Sequence, residues 1–217
     1  MNHPAKRPEP HITTIGSVYP PSEDSYLALS MLKELLDGEF RSTEGLRVLD
    51  MGTGTGILGI NMAAYPSVAS AVLSDISESA VRNADFNVRQ NSAILHALPH
   101  TIQSDLFSSI KGRFELIAFN PPYLPESGEI ADREVSIQVE SGAGGNETIR
   151  RFLKAAPGHL SPAGKIIIVS SSLADSMELQ GIVRSSGLKI EKEGKVHLFF
   201  EDIIAYVLSR QESLTKL

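Results

Sequence analysis

The sequence predicts an α/β protein: a mainly parallel sheet of seven strands, one of them antiparallel, with helices on both faces. Three observations lead there. Short apolar runs alternate with segments of helical periodicity along most of the chain, an order that requires right-handed crossovers and parallel pairing. The first run, Arg47-Val48-Leu49-Asp50, passes into a glycine-rich turn, Gly52-Thr53-Gly54-Thr55-Gly56, the kind of junction where open sheets bind ligands. The last two runs, residues 188–196 and 203–208, have only a short connection, so they pair as a hairpin and introduce the antiparallel strand.

With 217 residues and 41% hydrophobic content, the chain fits one domain with a sizeable core. A formal charge of −6 argues against the broad basic footprint of a duplex nucleic-acid binder. The sequence has no cysteine, which excludes disulfides, cysteine-bound zinc and thiol nucleophiles within this chain. His96 and His100 stand four apart with Pro99 between them. The proline breaks the helix that would align them, so they read as solvated loop residues and no metal site is expected. No apolar run approaches the ~20 residues of a membrane span, and residues 1–17 lack the apolar core of a secretory signal; a cytoplasmic protein is expected.

Both ends, residues 1–17 and 211–217, are expected to fray, leaving 18–210 as the domain. Ser22 or Asp24 can cap a first helix in which Tyr26, Leu27, Leu29, Leu32, Leu35 and Leu36 recur at helical spacing. A strand over 47–50, a helix over 57–65 and a strand over 71–75 follow. Ser77 then caps a helix running to about Gln90. Further strands fall at 101–104, 116–119 and 165–169, with helices near 147–157 and 173–185. Arg150, Arg151 and Lys154 lie on the first of these two helices and read as a solvated face.

The turn after the first strand has the character of a nucleotide cradle. Its glycines, Gly52, Gly54 and Gly56, let the backbone approach a ligand closely, and Asp50 can accept hydrogen bonds from backbone or ligand donors. Asp75 ends the next strand, about twenty residues beyond Gly54, where a carboxylate can accept both hydroxyls of a ribose. Gly54-Thr55-Gly56-Ile57-Leu58-Gly59 also matches the dinucleotide fingerprint, but the register, with Asp50 closing the strand and Gly52 two residues later, is more like that of methyltransferases. Asp105 closes the third strand beside Leu106. It can receive an adenine amino group against the apolar edge of Leu106, or simply cap a turn before Phe107.

The second motif, Asn120-Pro121-Pro122-Tyr123, follows the fourth strand and shares a rim with the glycine turn. Its two prolines stiffen the segment and remove two backbone donors. The acceptors that remain are the Asn120 side-chain carbonyl and the Pro121 backbone carbonyl. Two acceptors can hold the two coplanar N–H groups of an amide or exocyclic amino group, and Tyr123 can stack on the flat group. Together the two motifs point to methyl transfer from S-adenosylmethionine onto a planar nitrogen.

On these motifs, and on Val18-Tyr19-Pro20-Pro21-Ser22-Glu23-Asp24-Ser25-Tyr26-Leu27, the chain resembles the HemK/PrmC family of protein glutamine methyltransferases, in its archaeal and eukaryotic branch. The resemblance covers roughly residues 15–210. Ser25 stands where the branch usually has Thr, and Pro20 where it has an acidic residue. The resemblance implies a Rossmann-like class I methyltransferase fold with S-adenosylmethionine as cofactor. It also implies a cofactor site lined by Ser25, Asp50, Gly52, Asp75, Asp105, Leu106 and Asn120, with Asn120 also gripping the substrate amide. The loop Ser141-Gly142-Ala143-Gly144-Gly145 departs from the family's glycine spacing. The implied substrate is the glutamine of the Gly-Gly-Gln tip of a class I peptide chain release factor, and the implied partner is a small zinc-binding activator subunit at the sheet edge. Adenine or guanine amino groups of RNA or DNA present the same pair of donors and form the alternative, with protein lysine a further one.

Overall fold

The computed structural model describes residues 7–121 and 146–211. Its strands are β1 (Leu46–Met51), β2 (Val68–Asp75), β3 (His100–Gln103), β4 (Phe114–Phe119), β5 (Leu160–Ser171), β6 (Leu188–His197) and β7 (Asp202–Arg210). They form one seven-stranded sheet in the order β3-β2-β1-β4-β5-β7-β6. Strands β1 to β5 pair in parallel, and β7 runs antiparallel to both β5 and β6. The α-helices among the described residues are α1 (Glu23–Asp37), α2 (Ile57–Ala63), α3 (Glu78–Gln90), α4 (Glu147–His159) and α5 (Ser176–Ser185). The predicted architecture is the observed one.

The central strands are apolar without interruption because both faces are covered. Along Ile166-Ile167-Ile168-Val169, Ile167 and Val169 join the core formed with α1, α2 and α3. Ile166 and Ile168 join the core formed with α4 and α5. Successive side chains of a strand point to opposite faces, so one run serves two cores. On α1 the inward stripe is Ala28, Leu29, Met31, Leu32 and Leu36, whereas Tyr26 is exposed and Leu27 and Leu35 are partly buried.

Several boundaries differ from expectation. Strand β5 begins at Leu160 rather than near Lys165, and its register against β4 shifts between Phe114 and Leu116. Helix α5 begins at Ser176 rather than 173, because the Asp175 carboxylate accepts from the backbone N–H groups of Met177 and Glu178 and fixes the cap there. His100 is exposed but belongs to strand β3 rather than to a loop. Ser77 caps α3 as expected, accepting from Ala80 N. Within the N-terminal stretch expected to fray, backbone groups of His11, Thr13 and Ile15 are bound by asparagines on and just beyond α3.

Register positions the site. Met51 stands beside both Ser74 and Phe119, so β1, β2 and β4 end side by side and present Asp50, Asp75 and Asn120 at one rim. The strand order reverses between β1 and β4, which opens a crevice beyond their carboxyl ends.

Candidate functional site

Asp50 is almost fully buried, and its Oδ2 accepts from the Thr53 hydroxyl at 2.6 Å and from Gly59 N at 2.8 Å. One carboxylate thus ties the glycine turn to the start of α2. Burial pushes its pKa up to about 7, the Thr53 and Gly59 hydrogen bonds oppose that rise, and the nearby Asp75 charge adds to it. Gly59 is needed for space. A Cβ there would lie 2.5 Å from the Leu73 side chain and 3.0 Å from Asp50 Cβ. Gly52, Gly54 and Gly56 take φ of +63°, +53° and +86°, which the turn could not adopt with ordinary side chains.

Asp75 accepts from Gly54 N at 3.0 Å and from Ser77 N at 2.9 Å. Burial raises its pKa while those backbone bonds hold it down. The carboxylate therefore both braces the glycine turn and faces the cleft. Next along the rim, Leu106 has φ +46°, a left-handed conformation that costs a non-glycine residue energy. The Ser104 hydroxyl stabilises the turn: it donates to the Leu106 carbonyl at 2.8 Å and accepts from Ser109 N at 3.0 Å. Asp105 forms an ion pair with Arg151 at 2.7 Å. Arg151 lines the cleft, which corrects its reading as part of a solvated face. Arg150 pairs with Glu178, and Lys154 is exposed.

Asn120 carries the most informative geometry. Its Nδ2 donates to Asp24 Oδ2 at 3.1 Å and lies 3.5 Å from the Ser25 hydroxyl. Asp24 is itself buried, and its other oxygen accepts from Ser25 N and from the Ser25 hydroxyl. A carboxylate accepts and cannot donate, so Asp24 dictates which end of the Asn120 amide faces it. The opposite end, Oδ1, is buried and has no hydrogen-bond partner among the described residues. A buried acceptor without a donor costs about 1–3 kcal/mol, a cost that a ligand N–H reaching it can remove.

Ser25, Asp50, Gly52, Gly54, Asp75, Asp105, Leu106 and Asn120 converge on one cleft of about 400 Å³, a volume within the usual range for small-molecule sites. Gly56 does not line it. A Cβ at Gly56 would meet Ile60 at 2.9 Å and Ala84 at 3.4 Å, so its role is to turn the chain into α2. Pro121 is buried beside Asn120. Pro122, Tyr123 and the loop Ser141 to Gly145 lie outside the described residues. Sequence reasoning missed Tyr19, Ile76, Thr148 and Arg151 as lining residues and Asp24 as the partner of Asn120. Asp24 had a detectable signal, a carboxylate in the first turn of a helix beside Ser25. Arg151 had none, since only the packing of α4 brings it to the cleft.

Comparison with known proteins adds a family and a fold. The family model described as methyltransferase small domain matches residues 28–194. A protein of Methanocaldococcus jannaschii, named as a protein N5-glutamine methyltransferase, is 33% identical over 86% of this chain and 89% of its own length. The release factor glutamine methyltransferase of Deinococcus radiodurans is 33% identical over 60% of this chain, a match that spans 47% of that protein. Among solved structures, the E. cuniculi Mtq2–Trm112 complex, responsible for methylation of the eRF1 translation termination factor, superposes with a TM-score of 0.60. The identity is 21%, with 91% of this chain and 100% of that chain covered.

Proposed function

Because the chain belongs to the methyltransferase small domain family, whose cofactor is S-adenosylmethionine, we propose that it methylates a side-chain amide nitrogen: that of the glutamine in the Gly-Gly-Gln loop of a class I peptide chain release factor. The observation that carries this reading is the buried Oδ1 of Asn120, which has no hydrogen-bond partner among the described residues and is held in place by Asp24.

When bound, the cofactor supplies an electrophilic methyl group on a sulfonium. On this reading Asp75 serves its ribose hydroxyls, Asp105 and Leu106 its adenine end, and the glycine turn with Ser25 and Asp50 the remainder. Asn120 Oδ1 accepts one N–H of the substrate amide and the Pro121 carbonyl accepts the other, which fixes the plane of the amide and presents its face. An amide nitrogen is a weak nucleophile, so fixed orientation and fixed dipoles must supply much of the acceleration. Asp24 strengthens Asn120 for this work: a carboxylate on Nδ2 polarises the amide and makes Oδ1 a better acceptor. The substrate nitrogen then gives up its proton to solvent, and no strong base is required.

The rim also suits a polypeptide. Strand β7 enters the sheet opposite the end of β5, where Ile203 pairs with Ser171, so the preceding turn lies at the cofactor rim. That turn carries exposed Phe199 and Phe200, and Leu173 and Met177 stand exposed after β5. Apolar side chains next to Glu201, on a chain of net charge −6, suit a protein surface better than a phosphate backbone. A translation factor as substrate places the reaction in the cytoplasm. No helix of the described residues is long and apolar enough to cross a membrane.

A small zinc-binding activator completes the proposal. Strand β3 ends the sheet and has a strand neighbour only in β2 among the described residues, so its outer edge offers backbone groups to a partner strand. Hydrogen exchange should show protection at His100 to Gln103 when the activator is added; unchanged exchange there would remove this docking mode. The function itself is tested with labelled S-adenosylmethionine and a release factor whose Gly-Gly-Gln glutamine is intact or replaced. Changing the glutamine to glutamate or alanine should abolish labelling, because it leaves the site's acceptors unpaired. Labelling that survives the change, or that appears on RNA, DNA or a lysine, contradicts the proposal.

A further inference from the structure

Helix α3 presents Asn83 and Asn87 on one face, and Asn91 continues the same four-residue spacing just beyond its end. Four helical residues rise about 6 Å, and two residues of extended chain advance about 6.7 Å. An asparagine ladder at that spacing can therefore read every second peptide group of an extended segment. Residues 11–15 are read in this way. Asn91 accepts from His11 N at 2.8 Å and donates to His11 O at 2.8 Å. Asn87 accepts from Thr13 N at 3.0 Å and donates to Thr13 O at 2.8 Å. Asn83 accepts from Ile15 N at 2.8 Å and donates to Thr13 O at 2.8 Å.

The middle rung does more than bind the segment. Asn87 is fully buried, and its Nδ2 also donates to the carbonyl of Thr55 at 2.8 Å, in the glycine turn that lines the cofactor cleft. One amide thus joins the N-terminal segment, α3 and the cofactor loop, with its acceptor and both donors in use. The segment continues through Gly16, at φ +67°, into Tyr19 and Pro21, which form another wall of the same cleft. It is therefore tied to the site at two places, through Asn87 to Thr55 and through the chain to Tyr19.

We propose that residues 11–15 are a strap that belongs to the cofactor site, with Thr13 and Asn87 as positioning residues for the glycine turn, so that strap docking and S-adenosylmethionine binding favour each other. Linkage makes the coupling reciprocal: whatever affinity the strap lends the cofactor, the cofactor returns to the strap. The proposal concerns the cofactor alone and stands whatever substrate is methylated.

The test uses the full chain and S-adenosylhomocysteine as the binding probe. Thr13→Pro deletes the N–H that Asn87 accepts and leaves the Asn87 to Thr55 bond in place. Calorimetry on the folded variant should show affinity weakened about fivefold or more, the loss expected when a hydrogen bond of ordinary net strength no longer holds the arrangement. In the native chain the probe should slow hydrogen exchange at the Thr13 and Ile15 amides. Affinity within twofold of native in a folded variant overturns the proposal. If Thr13→Pro does not fold, exchange in the native chain decides, and amides at Thr13 and Ile15 indifferent to the probe overturn it.

Discussion

At the residue scale, two carboxylates share a rim and act differently. Asp24 orients Asn120, so Asp24→Asn removes both the charge and the demand that Nδ2 face it. Turnover should fall about 10- to 100-fold, the worth of a charge-assisted hydrogen bond, while cofactor affinity stays within about threefold. In an Asn120→Ala background the same change should be nearly neutral, and a double-mutant cycle on kcat measures the coupling; additive effects would separate the two residues. Asp50 does structural work under the glycine turn. Burial raises its folded pKa to about 7, so between its ordinary value near 4 and that point the native state holds a proton that the unfolded chain has lost. Its contribution to stability is thus greatest below the ordinary value and is lost as pH rises through about 7. Denaturation of the ligand-free protein at pH 5 and pH 8, native against Asp50→Asn, should show a steeper decline in the native chain. Equal declines would contradict the raised pKa. Asp50, Asp75 and Asn120 were legible in the sequence because each closes a strand beside a recognisable turn. Asp24 was legible only as a helix-capping candidate, because its partner lies 96 positions away along the chain.

Elements explain why the site holds its shape. Helix α2 must approach β1 and β2 closely for Gly59 N to reach Asp50, and only glycine permits that approach. Gly59→Ala should therefore destabilise by about 1–3 kcal/mol, the cost of forcing a methyl into a packed interior, and it should weaken cofactor binding by disturbing the same turn. Urea denaturation with and without S-adenosylhomocysteine reads both effects; a variant as stable as native would show that the contact with Leu73 relaxes freely. Strands and amphipathic helices were legible here because short continuous apolar runs alternate in the sequence with segments of period 3.6. The start of β5 was not, because Ser161, Pro162 and Gly164 carry no strand pattern and the run is recruited by its neighbours. The strap over His11 to Ile15 was hidden for a different reason. Its partners are side-chain amides of α3 rather than another strand, and no local pattern announces such pairing.

At the scale of the whole molecule, alternating elements and a closing hairpin leave few topologies, and handed crossovers select the observed order. The same logic places a ligand at the reversal between β1 and β4, and the cleft is there. The proposed chemistry rests on acceptors collected at that rim, which suit a planar group with two N–H donors, and the choice of a glutamine amide among such groups rests on the relatives. The most direct measurement is tandem mass spectrometry of a class I release factor after incubation with the protein, the proposed activator and S-adenosylmethionine. A single methyl group is expected on the side-chain nitrogen of the Gly-Gly-Gln glutamine, lost when Asn120 is replaced by alanine; a methyl group on any other residue, or one that persists without Asn120, would contradict the proposed function.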